Sequence, residues 1–597
     1  MYSGFNSKSI AVLPFLNIGK DENEYFSDGI TEEIINALTK IEGLKVTART
    51  SSFFYKNKPL DARKIGNELG VETLLEGSAR IIKDRVRITA QLIRTDNGFH
   101  IWSENFDRDL SDIFELQDEI SLLIADKIRE NFGHFELQEQ LVAAPTKNIE
   151  AYKQLLKGRE LRMRWNAQDV FAAIKSFDKS IALDASYADA HFERGWCIGM
   201  LASWGYWENR EAGLLEANRH IDIGLELNPD SAMGHYAKGT ISFWGYWNYK
   251  DAFEHLQKSL EINPNSAEVR DAVADCYSGL GKIDEALSNN AIAVRIDPLA
   301  ASVHFTQGNM RYFQQDFEAA IQLFDKALEQ APDFPLALEM KAAAFIFDEQ
   351  KEALKRHIAE SPKLQRPKSC MAIYDLKHGE SYFEVSETEL ELEHCTAKEY
   401  SLRAWDLYLE VCRGNHKKAL AILKERVNAR SGQLFAFKND LFLDPLRDYE
   451  EYKKIEASVF HDAMLPEIKS VDKKAVSSVP FDNDELQEYV SATKWAMNSD
   501  KRFTDPELSL KQLAADIDLH PNKLSWLLNN HFGKNFNDFV NQYRIKEFQR
   551  LAITPENKNI TLLGLAYDSG FNSKTVFNTF FKKETGMTPK QWVKANN

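Results

Sequence analysis

The stretch Leu508–Ile545, LSLKQLAADIDLHPNKLSWLLNNHFGKNFNDFVNQYRI, and the stretch Ile560–Trp592, ITLLGLAYDSGFNSKTVFNTFFKKETGMTPKQW, read as one pattern written twice. In the first copy Leu510, Leu513, Ala514 and Ile517 recur at helical spacing, so one face of a short helix is apolar. Asp518–Leu519–His520 breaks that spacing. Pro521 follows, and proline suits a first helical position because the N–H it lacks has no partner to lose there. The next helix turns Leu524, Leu527 and Leu528 inward and leaves Asn522, Lys523, Ser525 and Trp526 on faces that can enter a groove. Gly533 suits its C-terminal cap.

In the second copy Ile560, Leu563 and Ala566 make the supporting helix, and Gly570 stands at the turn, where a side chain would crowd two crossing helices. Ser573 is placed to cap a helix that runs to about Lys583 and buries Val576, Phe577 and Phe580 or Phe581. Asn572, Lys574, Thr575, Asn578 and Thr579 are the polar candidates for base edges. Lys582 and Lys583 sit near the helix end, where cations favour both the dipole and phosphates. Thr588–Pro589 starts a last helix. A connecting helix from about Asn537 to Leu551 spans roughly 22 Å at ~1.5 Å per residue. That length suits two recognition helices held about one DNA turn, ~34 Å, apart.

These two stretches resemble the DNA-binding domain of AraC-type transcription regulators, over roughly the last fifth of the chain, and the G-F-x-S…F-F-K-K-x-x-G-x-T-P portion carries most of the likeness. The resemblance implies base readers at Asn522, Ser525 and Trp526 in the first unit and at Lys574, Thr575 and Thr579 in the second. Many family members have arginine where this chain has Trp526, which puts apolar contact in place of a bidentate guanine contact.

Composition bounds the rest. The 597 residues exceed a single domain, and 44% hydrophobic with 27% charged residues describes globular material. No apolar window is long enough to span a bilayer, and Met1–Ser9 lacks the features of a secretory signal. Five cysteines without metal-ligand spacing read as reduced thiols, so the expected compartment is the cytoplasm. Net charge is −16, yet from Glu485 onward there are 15 Lys+Arg against 12 Asp+Glu, which leaves 59 against 78 for the remainder. The basic character therefore collects around the twin pattern, and an acidic bulk argues against indiscriminate nucleic-acid binding.

From about Ser9 to Phe132 the chain reads as α/β. A buried strand at Ile10–Phe15 leads through Ser27–Asp28–Gly29, a capping turn, to a helix over Thr31–Leu38. A strand at Leu44–Thr47, a helix at Ala62–Leu69, a hairpin of Thr73–Ile82 with Val86–Arg94, a strand at His100–Phe106 and a helix over Ile113–Ile128 complete it. That order implies a mixed sheet covered by helices. The phrases IAVLPFLN, YFSDGITEEI, ARTSSF and GVETLLEGSARI are similar to TolB-N-terminal-like domains, which imply a fold but no chemistry. Arg49, Ser51 and Ser52 form a polar cluster that suits either a ligand or a turn. Asp107, Asp109 and Asp112 are expected to face a helix N-terminus.

Between these ends the chain repeats itself. Pro229, Pro264, Pro298 and Pro332 fall 35, 34 and 34 residues apart, each closing a helix that carries a triplet such as Ala286/Asn290/Ala293 or Ala320/Phe324/Ala327. This is the tetratricopeptide period, in which small residues let paired helices approach. SWGYWENREA at 203–212 recurs as FWGYWNYKDA at 243–252. Trp204, Tyr206, Trp207, Trp244, Tyr246 and Trp247 are thereby a candidate ledge for a peptide or ligand, although repeat aromatics more often pack.

The expected architecture is multidomain: a mixed α/β domain at 1–135, an all-α tetratricopeptide solenoid at 148–455, a linker at 456–482 and an all-α double helix-turn-helix domain at 483–597. No catalytic, metal-binding or cofactor motif is found: no phosphate-cradling loop, no H-E-x-x-H, no nucleophile elbow and no cyclase catalytic sequence. The expected partners are double-stranded DNA, a protein or peptide on the repeats, and a second copy of the chain, with no membrane. The function those parts imply is sequence-specific regulation of transcription; the alternative is a repeat adaptor tethered to DNA.

Overall fold

The computed structural model describes residues 8–164, 166–379, 385–396, 403–460 and 480–596. Its N-terminal region is a mixed sheet. Strands β1 (Ser9–Val12), β2 (Leu16–Asn17), β3 (Lys45–Val46), β4 (Thr73–Ile82), β5 (Arg85–Arg94) and β6 (His100–Asp109) run in the order β3-β1-β4-β5-β6, with β2 also on β4. β1 is parallel to β3 and β4, whereas β4, β5 and β6 are antiparallel. Along β5, Val86, Ile88, Ala90 and Leu92 point inward and are fully buried, the period-two signature of a sheet covered on one face. Helices α1 (Glu24–Thr39) and α4 (Ile113–Phe132) cover that face. Helix α3 (Ala62–Leu69) packs Ile65 and Leu69 against Leu74 on the other.

Three local expectations are corrected. Ser27, Asp28 and Gly29 lie inside α1, not in a turn before it. Gly29 faces Leu156 so closely that a β-carbon would meet its side chain at 2.6 Å, and Lys56 Nζ pairs with Asp28 at 2.7 Å. Tertiary contacts thus keep a glycine in a helix that local propensity would start later. Asp107 and Asp109 belong to β6 and pair across it with Arg85 and Arg87, so only Asp112 stands at the start of α4. The Arg49–Ser51–Ser52 cluster lies on helix α2 (Arg49–Phe53), which docks on the repeats. Ser51 donates to Asp297, accepts from Leu299 N at 2.8 Å, and Arg49 pairs with Glu32 at 2.9 Å.

The repeats follow as antiparallel helix pairs, among them Ala188–Ser203 with Arg210–Leu227, Ala267–Gly279 with Ile283–Ile296, and Ala301–Phe313 with Phe317–Gln330. The triplet positions Ala286, Asn290 and Ala293, and Ala320, Phe324 and Ala327, are fully buried between the paired helices. The α/β region is welded to the first repeats by buried charge. Arg159 reaches Glu33 at 2.6 Å and Glu193 at 2.7 Å, and Arg162 reaches Glu193 at 3.1 Å. Removing either partner of such a pair would leave an uncompensated buried charge, which is strongly destabilising.

At the far end, the chain turns back on the array. Residues 432–446 form short turns whose Phe435 ring packs on Phe243 and Trp244 at 5.2 and 4.9 Å, while its carbonyl accepts from Tyr249 Oη at 2.9 Å. Phe442 stacks on Tyr408 at 4.5 Å and meets Phe347 at 4.6 Å. Asn439 donates to the Ser278 carbonyl. One self-segment thus bridges early and late repeats. The first residues of the expected 456–482 linker continue the helix Glu450–Val459, and its part from 461 to 479 lies outside the described residues.

Candidate nucleic-acid interface

The C-terminal region opens with a helix, Asn483–Asn498, whose start is fixed by a capping box between Asp482 and Glu485. The first scaffold helix, Leu510–Asp516, repeats the device with Ser509 and Gln512. Asp518 takes φ +53° in the turn, which an aspartate tolerates better than most side chains. His520 then accepts from Asn522 N at the start of the first recognition helix, Pro521–Asn530. Leu524, Leu527 and Leu528 are fully buried beneath it.

The connector helix, Phe536–Ala552, serves two separate cores. Phe536, Phe539 and Val540 belong to the first, while Ile545 and Phe548 belong to the second with Leu565, Phe571, Phe577, Phe580 and Phe581. Arg544, midway, fastens the two. Its Nε donates to Phe503 O and its Nη2 to Asp505 O, each at 2.7 Å, and burial lowers its pKa to about 10. Gly570 packs against the same strand of backbone. A β-carbon there would sit 2.2 Å from Phe503 O, and the backbone has φ +95°. Motif reading singles out Gly570 and passes over Arg544, although Val540–Arg544–Phe548 spacing already places that arginine on the buried face.

The second recognition helix, Lys574–Thr585, is capped by Ser573, which accepts from Val576 N, and ends at Gly586 with φ +72°. Asn572, Lys574, Thr575, Asn578, Thr579, Lys582 and Lys583 are all exposed. Lys583 pairs with Asp538 on the connector at 3.0 Å, and Asn572 donates to Pro506 O. Asn578, Thr579, Lys582, Lys583, Thr588 and Pro589 line one open depression. Val576, expected inside, is 47% exposed beside Thr575 and Thr579; an apolar branch on that face suits the methyl group of thymine.

The first recognition helix is placed differently. Ser525 is 2% exposed, so it is not on an open face as expected, and Asn522, Lys523 and Trp526 are half-buried. Trp526 packs on Phe481 at 5.7 Å, with Lys523 Nζ over the same ring at 5.1 Å. The covering surface is the C-terminal end of α4 and the residues after it. Asn522 Nδ2 donates to Leu137 O at 3.1 Å while its Oδ1 accepts from Leu137 N at 3.3 Å and from Arg129. Lys511 pairs with Asp126 at 2.7 Å, and Leu510 N donates to Glu130 at 2.9 Å.

The aromatic ledge is also divided. Trp247 is 2% exposed with Arg430 over its ring at 5.1 Å, which corrects its place on a partner surface. Trp244 packs against Trp204 and Phe435. Trp207 stacks on Phe171, whereas Tyr206 and Tyr246 stay exposed at 44% and 39%. Among the described residues no group of three metal-ligating side chains converges, and no helix is long and apolar enough to cross a membrane. Cys197, Cys276, Cys370 and Cys412 are free thiols.

Comparison with known proteins matches three segments. Residues 513–595 match the family described as helix-turn-helix domain, residues 274–335 tetratricopeptide repeat, and residues 6–123 the HilA/YgeH-like transcriptional regulator, second domain. The N-terminal match thus carries a regulator's description, where sequence phrases point to TolB-N-terminal-like domains. A Rhizobium meliloti (strain 1021) protein that bears an adenylate cyclase's name is 37% identical over 238 residues, 40% of this chain and 40% of the relative. Tetratricopeptide repeat protein 13 of Homo sapiens is 28% identical over 157 residues, 24% of this chain and 18% of the relative. The chain therefore spans well under half of either curated relative. The crystal structure of YrrB, a TPR protein with an unusual peptide-binding site, is 26% identical, with 33% of this chain and 96% of that chain covered and a TM-score of 0.22. The matched families are regulatory, DNA-reading and repeat types rather than enzymes, and the composition of domains is that of a transcription regulator with tetratricopeptide repeats.

Proposed function

We propose that a chain uniting an AraC-type double helix-turn-helix, a tetratricopeptide array and a HilA-like regulator domain reads specific duplex sequences and regulates transcription from them. The units of action are 1–135, 148–455 and 483–597, with 456–482 as linker. Lys574, Thr575, Val576 and Thr579 read bases in one major groove. Asn522, Ser525 and Trp526 read the next when uncovered, and Lys582 and Lys583 neutralise phosphates. The repeats and the α/β domain receive the signal or the protein partner, in the cytoplasm. The observation that carries this reading is the exposed face of Lys574–Thr585, polar and cationic in a chain of net charge −16. Selection of duplexes from a random pool by the full chain tests it: enrichment of a shared motif supports the reading, and a pool that stays random at moderate salt defeats it.

A second reading, a repeat scaffold merely tethered to DNA, is favoured by one fact, the cover over the first recognition helix. Mapping genomic occupancy beside the expression change on deletion separates the two. Occupied sites without altered transcripts would support the tether.

A further inference from the structure

The cover over the first recognition helix has the chemistry of the ligand it excludes. An asparagine that reads adenine does so through two bonds, its amide oxygen accepting and its amide nitrogen donating. Asn522 makes that same pair of bonds to the backbone of Leu137, accepting from its N–H at 3.3 Å and donating to its carbonyl at 3.1 Å. Alongside, two carboxylates of α4 accept at the start of the scaffold helix, Asp126 from Lys511 at 2.7 Å and Glu130 from the Leu510 amide at 2.9 Å, while Lys127 also pairs with Glu130 at 2.9 Å. Arg129 ties the parts together, donating to both Asp126 and Asn522. The cover also packs closely, since Asn529 Oδ1 lies 3.0 Å from where a Gly133 β-carbon would be.

Resting on the reading of this helix as a DNA reader, we propose that the end of α4 and residues 133–137 form a competitive internal cover: the Leu137 peptide stands in for a base edge, Asp126 and Glu130 accept from Lys511 and the Leu510 amide as phosphate oxygens would, and duplex and α/β domain exclude each other. The second recognition helix is not covered. The free chain therefore reads one groove, and uncovering adds the second. A ligand that binds only the uncovered state is weakened by the fraction of molecules that are covered.

The test uses the full chain with Asp126→Asn and Glu130→Ala together. Asparagine keeps an acceptor for Arg129 while losing the charge facing Lys511, and alanine removes the acceptor for Leu510. The probe is a duplex enriched from a random pool by either chain. The variant is expected to bind it about tenfold more tightly and to protect a longer footprint. Equal affinity and equal footprint overturn the cover while leaving the DNA reading intact; failure of both chains to enrich any duplex overturns the reading and the cover together. Hydrogen exchange on the unmodified chain gives an answer free of variant folding. Saturation with the duplex is expected to speed exchange of the Leu137 amide while the amides of residues 524–530 stay slow. An unchanged Leu137 amide in a chain footprinting both half-sites overturns the proposal.

Discussion

At Gly570 there is no space for even one methyl group, because backbone oxygen of residue 503 occupies it, and the positive φ adds strain for any side chain. Gly570→Ala is expected to destabilise the second unit by about 2 kcal/mol or more, seen as a lower denaturant midpoint for that unit; an unchanged midpoint would show that the turn can shift. Lys574, by contrast, lies in the open. Lys574→Ala is expected to cost about 1–3 kcal/mol on the selected duplex and to relax preference at one base pair. Uniform weakening across all sequences would make it a phosphate contact instead. Changing Lys582 and Lys583 together to alanine should flatten the salt dependence by up to about two phosphate contacts while the preferred sequence stays put. A shifted consensus would show that these two read bases.

Individual elements show what local pattern encodes. Helix α3 and strand β4 appear where period and flanking glycine place them, and the spaced prolines find their repeats. Other features carry no local signature. Helix α2 has five residues, too short for a period to show, and the turns at 432–446 have none. The bonds between Asn522 and Leu137 join residues 385 apart, so neither neighbourhood records them. Hydrophobic identity and helical spacing both place Val576 in the core, yet Phe577, Phe580 and Phe581 already fill that side and leave it outside.

Two predictions belong to this scale. Phe435→Ala should cost about 3–5 kcal/mol, measured as loss of cooperative unfolding in the repeats, because its ring closes a packed aromatic cluster. The second concerns His191 and His220, stacked on adjoining repeat helices with Nδ1 atoms 3.0 Å apart. Burial chiefly, then Arg194 and His191, lowers His220 from 6.5 to about 4. Above 6.5 both folded and unfolded chains hold it neutral. As pH falls toward 4 the unfolded chain takes up the proton first, so the stability tied to this group is lost across that window. The melting-temperature advantage of the unmodified chain over His220→Gln should therefore shrink between pH 6.5 and 4; a constant advantage would refute the assignment.

Across the molecule, charge and cover act in one direction. A fragment beginning at residue 480 keeps both C-terminal cores but sheds the acidic remainder and the surface over Asn522. It should bind a random-sequence duplex more tightly than the full chain at low salt, and the difference should fade as salt rises if charge alone causes it. A difference that survives high salt would point to the cover. The turn of chain around Phe435 has a consequence for any visiting partner. Where that ring rests among Phe243, Trp244 and Tyr249, its tether keeps it at high local concentration, so a foreign peptide would have to displace the chain's own residue to reach those aromatics.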